Sequence, residues 1–447
     1  MILKFIYKNY QDVKKGDLKT LLKKIKIFFI FLSCFINPFY YLGALFLLFC
    51  VLIRPFYIVR WDILRSSRIG SLSEKYEIYC CKIDAGINRP KKKFVDLFCY
   101  DKKICNQQLA KMWKKKLIIL PRFILIPIIN INKLIIKFFG STNYFVHSNE
   151  SIYSTNDPVK LKKILTHRDL FNLMAETKTH LNFTKKEIQK GENYLNSLSI
   201  DKDKKIVCLA VRDSAYQEKY LNTSDLNLRH NDFRDQNISD FLLAAEELTK
   251  RGYWVFRMGK AVKEKIKTSN PMIIDYANLN IRSDFLDIYL GYRCKFCIRT
   301  CGYGGVPQSF KKPTIVIGGA PLVDLVAYGK NDMFLLFHYF SQEKNRKLTL
   351  SEIFDLGIST IRTSKGYDDL KIKIIPSSPE DIRDAIMEIA DKIEGIWQEK
   401  PNTIKLQDSF DTLFEKHLIS NNLRHLFGKQ RLWQSSSFLN KNIWWLK

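Results

Sequence analysis

The sequence predicts two α/β domains behind an N-terminal hydrophobic membrane segment. Three observations carry this reading. At 447 residues the chain is long enough to bury two substantial cores. An uncharged apolar run near its start exceeds the length of a membrane helix. From Lys205 onward, short runs rich in β-branched residues alternate with segments of helical period, the pattern of a mainly parallel sheet covered by helices. A disordered or fibrous chain is excluded, because 46% hydrophobic and 13% aromatic content is too apolar, and 19 Gly with 13 Pro too few, for such classes.

Residues 1–26 form a basic segment with eight Lys from Lys4 to Lys26. Between Ile27 and Ile53 stand 27 residues without a charge, against the roughly 20 that a membrane helix needs. We read 27–60 as a membrane anchor; a signal peptide would have a shorter apolar core and a small-residue cleavage site. Asn37 and Pro38 interrupt the run, and both flanks are basic, with Lys23, Lys24 and Lys26 before it and Arg54, Arg60 and Arg65 after it. Charge asymmetry therefore does not choose between a re-entrant segment with both ends cytoplasmic and a single tilted span. The net charge of +28 is concentrated beside apolar stretches, at the N-terminus, at Lys91 to Lys93 and at Lys114 to Lys116. That distribution points to anionic membrane lipid as a partner and to the cytoplasmic face of the cell membrane as the location. No zinc-finger spacing or RNP-like motif occurs, so nucleic acid is not expected as a partner. Residues 61–200 read as the first domain. Within it, 117–139 carries Pro121, Pro127, Arg122, Lys133 and Lys137 and reads as an interfacial segment or a core helix pair.

The second domain is placed at 201–395. A capping box of Thr184 and Glu187 opens a helix toward Leu198 just before it. Strands are expected at Lys205 to Val211, Tyr253 to Arg257, Met272 to Asp275, Cys294 to Ile298 and Thr314 to Ile317, with helices at Ile238 to Lys250 and Ser283 to Leu290. Residues 396–447 form a tail whose Trp397, Trp433, Trp444 and Trp445 pack on the first domain or rest at the membrane interface. The ten cysteines are scattered and read as reduced thiols. Cys294, Cys297 and Cys301 have metal-like spacing, but a strand through Cys294 and Cys297 turns positions three apart to opposite faces, so no metal is assigned there.

Ligands of such sheets bind beyond the carboxyl ends of the strands. Arg212 and Asp213 follow the first strand of this domain, Arg257, Gly259 and Lys260 the next, and Thr300, Gly302, Gly304 and Gly305 the strand ending near Ile298. A glycine-rich turn between strand and helix lets backbone N–H groups approach an anionic oxygen, or simply makes a turn. Arg212 and Arg257 at neighbouring strand ends favour the anion, since two guanidinium groups complement a diphosphate. Arg212, Arg257, Lys260, Thr300, Gly302, Gly304 and Gly305 are therefore the candidate diphosphate-binding residues. His230, with Asp232 or Asp213 as alternatives, is the candidate general base. Asp284 reads as a helix cap. No P-loop or GxGxxG pattern is present and no DxD segment follows a strand, so no cofactor or divalent metal is implied.

With these residues located, the chain resembles a family of bacterial surface-polysaccharide and O-antigen glycosyltransferases. The resemblance is carried by RIGSLSEKYEIY (Arg68 to Tyr79), HLNFTKKEIQKGENYL (His180 to Leu195), VCLAVRDSAY (Val207 to Tyr216), HNDFRDQNI (His230 to Ile238), RGYWVFRMGK (Arg251 to Lys260) and CKFCIRTCGYGGVPQSFKKP (Cys294 to Pro313). It departs from the family pattern at Ser71, Arg299, Cys301 and Gly318-Gly319. The resemblance implies two Rossmann-like domains arranged as in GT-B enzymes, with the sugar nucleotide in the C-terminal one. It further implies metal-independent transfer of a sugar from a nucleotide-sugar donor to a hydroxyl of a lipid-linked or growing surface glycan. Alternatives on the same architecture are a nucleotide-sugar epimerase or hydrolase and a non-catalytic membrane scaffold.

Overall fold

Strands and helices are interleaved in the computed structural model, which describes residues 38–87, 89–139, 168–220, 232–300 and 302–447, with only the backbone of 134–139. Residues 1–37, His230 and Cys301 lie outside the described residues. The chain divides into two compact units. The first contains 38–64, 90–102 and 117–139, and the second contains 65–89, 103–116 and the described residues from 168 onward.

The first unit is built on a three-stranded parallel sheet of β1 (Tyr57–Leu64), β2 (Lys93–Tyr100) and β3 (Ile118–Ile119). Alternate residues Val59 and Trp61 of β1 and Leu97 and Cys99 of β2 face a core shared with helix α1 (Pro38–Ile53). The opposite parity places Arg60 directly across from Asp96 in the strand register, where they form a buried pair with two hydrogen bonds of 2.7 Å. In α1, Tyr40, Gly43, Leu47 and Cys50 recur at helical spacing and form its buried stripe.

The anchor expected at 27–60 is therefore described only in its second part. That part is a 16-residue helix, about 24 Å long at 1.5 Å per residue, followed by a strand that already includes 57–60. Among the described residues, no helix is long and apolar enough to cross a membrane. The segment 117–139 gives β3 and one helix, which runs Arg122–Phe139 with Pro127 inside it and buries Leu125, Ile128 and Ile129 in the same core.

The second unit contains helices α2 (Ile69–Asp84) and α3 (Gln107–Lys114) and a seven-stranded parallel sheet. The strands are β4 (Lys205–Ala210), β5 (Tyr253–Arg257), β6 (Ile273–Ile274), β7 (Phe296–Arg299), β8 (Thr314–Ile317), β9 (Met333–Leu335) and, after a small antiparallel sheet of β10 (His338–Ser341), β11 (Arg346–Lys347) and β12 (Ile372–Ile375), β13 (Trp433–Gln434). Their order is β13-β9-β8-β7-β4-β5-β6. The chain steps outward from β4 to β6, then lays β7 on the other side of β4, so the order reverses between β4 and β7. Val207 and Leu209 of β4 enter a core with Ala244, Leu248, Ile382 and Ile386 from the helices Leu242–Lys250 and Pro379–Glu394. Cys208, on the other face, lies 3.9 Å from the Tyr303 hydroxyl. Burial on both faces is why β4 reads as an unbroken apolar run.

Two expectations are corrected. Cys294 is the residue that ends helix Asp284–Arg293, ahead of β7, so the opposite-faces argument does not apply to it. The tail packs on the core of the second unit. Trp445 is fully buried there, Trp444 stacks on His338, and the Trp433 indole donates to buried Glu388 at 2.8 Å. The same core takes Leu406 and Phe410 of helix Pro401–Ser420 and Phe438 and Leu439 of helix Ser436–Lys441.

Candidate functional site

The crevice at a strand-order reversal is where open α/β sheets hold ligands, and the ends of β4 and β7 meet there. The Arg212 N–H donates to Thr300 Oγ1 at 2.6 Å, and the Thr300 N–H donates to the Ala210 carbonyl at 3.0 Å. Gly302–Gly304 form a 3₁₀ turn that leads into the short helix Gly305–Ser309. The start of α2 packs on this turn: a Cβ at Gly70 would stand 2.5 Å from the Gly302 carbonyl oxygen, and one at Gly305 would stand 2.8 Å from Ser73 Oγ. A Cβ at Gly304 would overlap the Arg299 side chain. Gly70 is thus required by close approach of backbone, while Gly304 and Gly305 meet the side chains of Arg299 and Ser73. Arg68, at the N-cap of α2, supplies no side-chain cap, and the first turn carries no acid, so the dipole of this 16-residue helix is uncompensated by a carboxylate at its start.

Beside the turn, Arg212 Nε donates to Asp235 Oδ1 at 2.8 Å. Burial pushes the Asp235 carboxyl above its ordinary range; Arg212 opposes this, while Asp232 and Asp213 add to it. Asp213, Asp232, Asp235 and Arg212 thus form one cluster. Asp213 is already engaged, accepting the Ala215 N–H at 3.0 Å and the Lys263 N–H at 2.9 Å. Arg257 is only 1% exposed; its Nη1 donates to the Glu264 carbonyl at 2.8 Å and to Asp275 at 3.1 Å, and its Nη2 lies 3.9 Å from Asp213. It lines, with Asp213, Asp235, Asn237 and Lys263, a cavity of about 180 Å³.

The structure therefore gathers Arg212, Asp213, Asp232, Thr300, Gly302, Gly304 and Gly305 around the reversal, with Arg257 one strand away and turned into ion pairs. Lys260 is held elsewhere, on the Cys105 carbonyl at 2.8 Å and 3.7 Å from Asp284. His230 lies outside the described residues. Asp235 escaped the sequence reading because nothing in HNDFRDQNI separates it from Asp232. Asp324 escaped it too. Burial would raise its carboxyl, but Arg362 at 2.6 Å, Arg168 at 3.2 Å and the charge of Arg234 hold it below the ordinary range.

A second charged group lies between α2 and the segment before Thr184. Glu77, Cys81 and His180 place their ligand-type atoms within 4.8 Å of one another. However, Glu77 already holds Lys311 Nζ at 2.9 Å and His180 Nδ1 at 3.0 Å, while His180 Nε2 holds Asp84 at 2.8 Å. Burial lowers the His180 pKa, but hydrogen bonds to Cys81, Glu77 and Asp84 outweigh it and raise it to about 10. With Lys311 and Asp84 closing on the same donors, this group reads as an ionic clamp.

No family model matches the chain, and no curated protein is similar to it. Among solved structures, the chain is similar to the crystal structure of the glycosyl transferase family 9 from Veillonella parvula DSM 2008. The TM-score is 0.38 at 10% identity, over 75% of this chain and 96% of that one, a likeness too slight to carry an argument about chemistry.

Proposed function

We propose that the chain transfers a glycosyl group from a nucleotide-sugar to a hydroxyl of a lipid-linked or growing surface glycan, without a metal ion, at the cytoplasmic face of the cell membrane. One observation carries the reading. Arg212, Thr300 and the Gly302 turn meet the uncapped start of α2 at the point where the strand order reverses. A guanidinium, backbone N–H groups and a helix dipole are suited to a leaving diphosphate, whose charge grows as the glycosidic bond breaks. Among the candidate bases, Asp213 accepts two backbone N–H groups, which favours Asp232 and its neighbour Asp235. Burial raises the carboxyl of Asp235, and a carboxyl so raised takes a proton from an acceptor hydroxyl more readily than an ordinary one. His230 keeps the role that its intrinsic pKa suggests.

A non-catalytic scaffold is the second reading, and Arg257 favours it, because its guanidinium is already committed to Asp275 and Glu264. Thermal unfolding in the presence of UDP-, GDP-, ADP- and CMP-sugars decides between them, since a ligand that binds only the folded state raises the melting temperature. The transferase reading expects one nucleotide class to stabilise the protein and Arg212→Ala to abolish that shift. A folded protein unmoved by millimolar concentrations of every donor leaves the scaffold.

A further inference from the structure

We infer that the first unit docks in the plane of an anionic membrane surface through the outer face of α1, with the helix lying in the interface. The inference deepens the membrane placement proposed above and is independent of the reaction. Helix α1 is apolar on all sides, yet only one side faces protein among the described residues. Tyr40, Gly43, Leu47 and Cys50 are buried against Leu125, Ile128 and Ile129 and the sheet, and Gly43 brings the Ile128 and Ile131 side chains to within 3.4 Å of where a Cβ would stand. The alternate stripe, Leu42, Leu45, Leu48, Phe49 and Leu52, is more than half exposed, as is Phe56 just beyond the helix. A helix with two apolar faces requires two apolar media. Its protein-facing stripe prevents lipid from surrounding it.

Charge identifies the second medium. Tyr57 pairs with Lys93 in the strand register, so exposed Lys91, Lys92 and Lys93 stand at the end of β2 nearest the close of α1, where Arg54 is also exposed. At the other end, the ring of Phe39 meets that of Phe123, and Arg122 beside it lies 3.6 Å from Asp101. An apolar stripe with a basic cluster at one end matches acyl chains beneath anionic headgroups; a protein partner would not require that charge.

The test is flotation of the full chain with vesicles of phosphatidylcholine alone and of phosphatidylcholine with phosphatidylglycerol. Binding is expected for the anionic vesicles, to weaken in high salt, and to fall at least tenfold in a Leu45→Glu, Leu48→Glu, Leu52→Glu variant. Because these side chains are exposed, the melting temperature and any donor-induced shift should be retained, which separates failure of this inference from failure of the transferase reading. Should the triple variant not fold, Leu48→Trp supplies the readout: its added emission should be quenched more by lipids brominated near the headgroup than by lipids brominated at the chain end. Three results overturn the inference: vesicle binding by the variant equal to that of the wild type, which would assign the contact to residues before 38; loss of self-association in place of vesicle binding; or deeper quenching at the chain end.

Discussion

A methyl group at Gly70 would stand 2.5 Å from the Gly302 carbonyl oxygen and 3.0 Å from Gly302 Cα, with backbone as the neighbour that would have to move. Gly70→Ala is therefore expected to displace the turn beside Thr300. Overpacking of this kind costs about 1–3 kcal/mol, read as a lower melting temperature, and the donor-induced shift should be lost with it. His180 offers a test through pH. Its pKa of about 10 in the folded protein, against an ordinary 6.5, means that folding favours the protonated ring. The stabilisation is fully present below about pH 6.5 and is lost as pH rises toward 10. Denaturant titrations across that window should show a steeper loss of stability for the wild type than for His180→Gln; parallel curves would remove the clamp from the account. Arg212 and Thr300 were legible in the sequence because each directly follows an apolar strand. The Asp324–Arg362–Arg168 group was not, because its members are brought together from segments far apart in the chain by loops with no periodicity.

At the level of strands, Arg60 and Asp96 are neighbours by register and are both buried, so each satisfies the other in the absence of water. Removing one partner breaks this buried ion pair. Arg60→Leu is expected to destabilise the first unit by about 3–5 kcal/mol, measured by urea unfolding, while Arg60→Leu combined with Asp96→Leu should recover most of the loss. From sequence Arg60 is legible only as a basic flank of the apolar run and Asp96 not at all, since strand pairing is set by partners more than 30 residues apart. Local signals fared better. The Thr184–Glu187 capping box forms as expected, and β4, β5 and β8 fall within a residue of their anticipated positions, whereas the helix that begins at Asp284 is capped by Ser283 and not by Asp284, whose carboxylate accepts the Gln107 N–H instead. Cys294 missed its strand because a buried helix end and a buried strand start are equally apolar, and only the hydrogen bond of its N–H to the Leu290 carbonyl decides the boundary.

Across the molecule, alternation of strand and helix was enough to reveal a parallel sheet, whereas the destination of the tryptophan-rich tail was not, because burial of a Trp does not reveal which core receives it. The tail supplies β13, the Trp445 ring and the Ser435 and Ser436 groups that satisfy Glu388. Deletion of 396–447 is accordingly expected to leave a chain that binds hydrophobic dye and has no cooperative thermal transition; a sharp transition would show that the sheet is self-sufficient without it.

Strand β9, an edge until β13 pairs with it, has a further consequence during synthesis. Its open side is completed by Trp433 and Gln434, which leave the ribosome roughly a hundred residues after Leu335. Until then Met333, Phe334 and Leu335 present unpaired backbone and apolar side chains to the cytosol. The interval is a window in which the nascent chain is open to strand addition from a neighbouring copy, and chaperone occupancy on translating ribosomes should peak over that stretch.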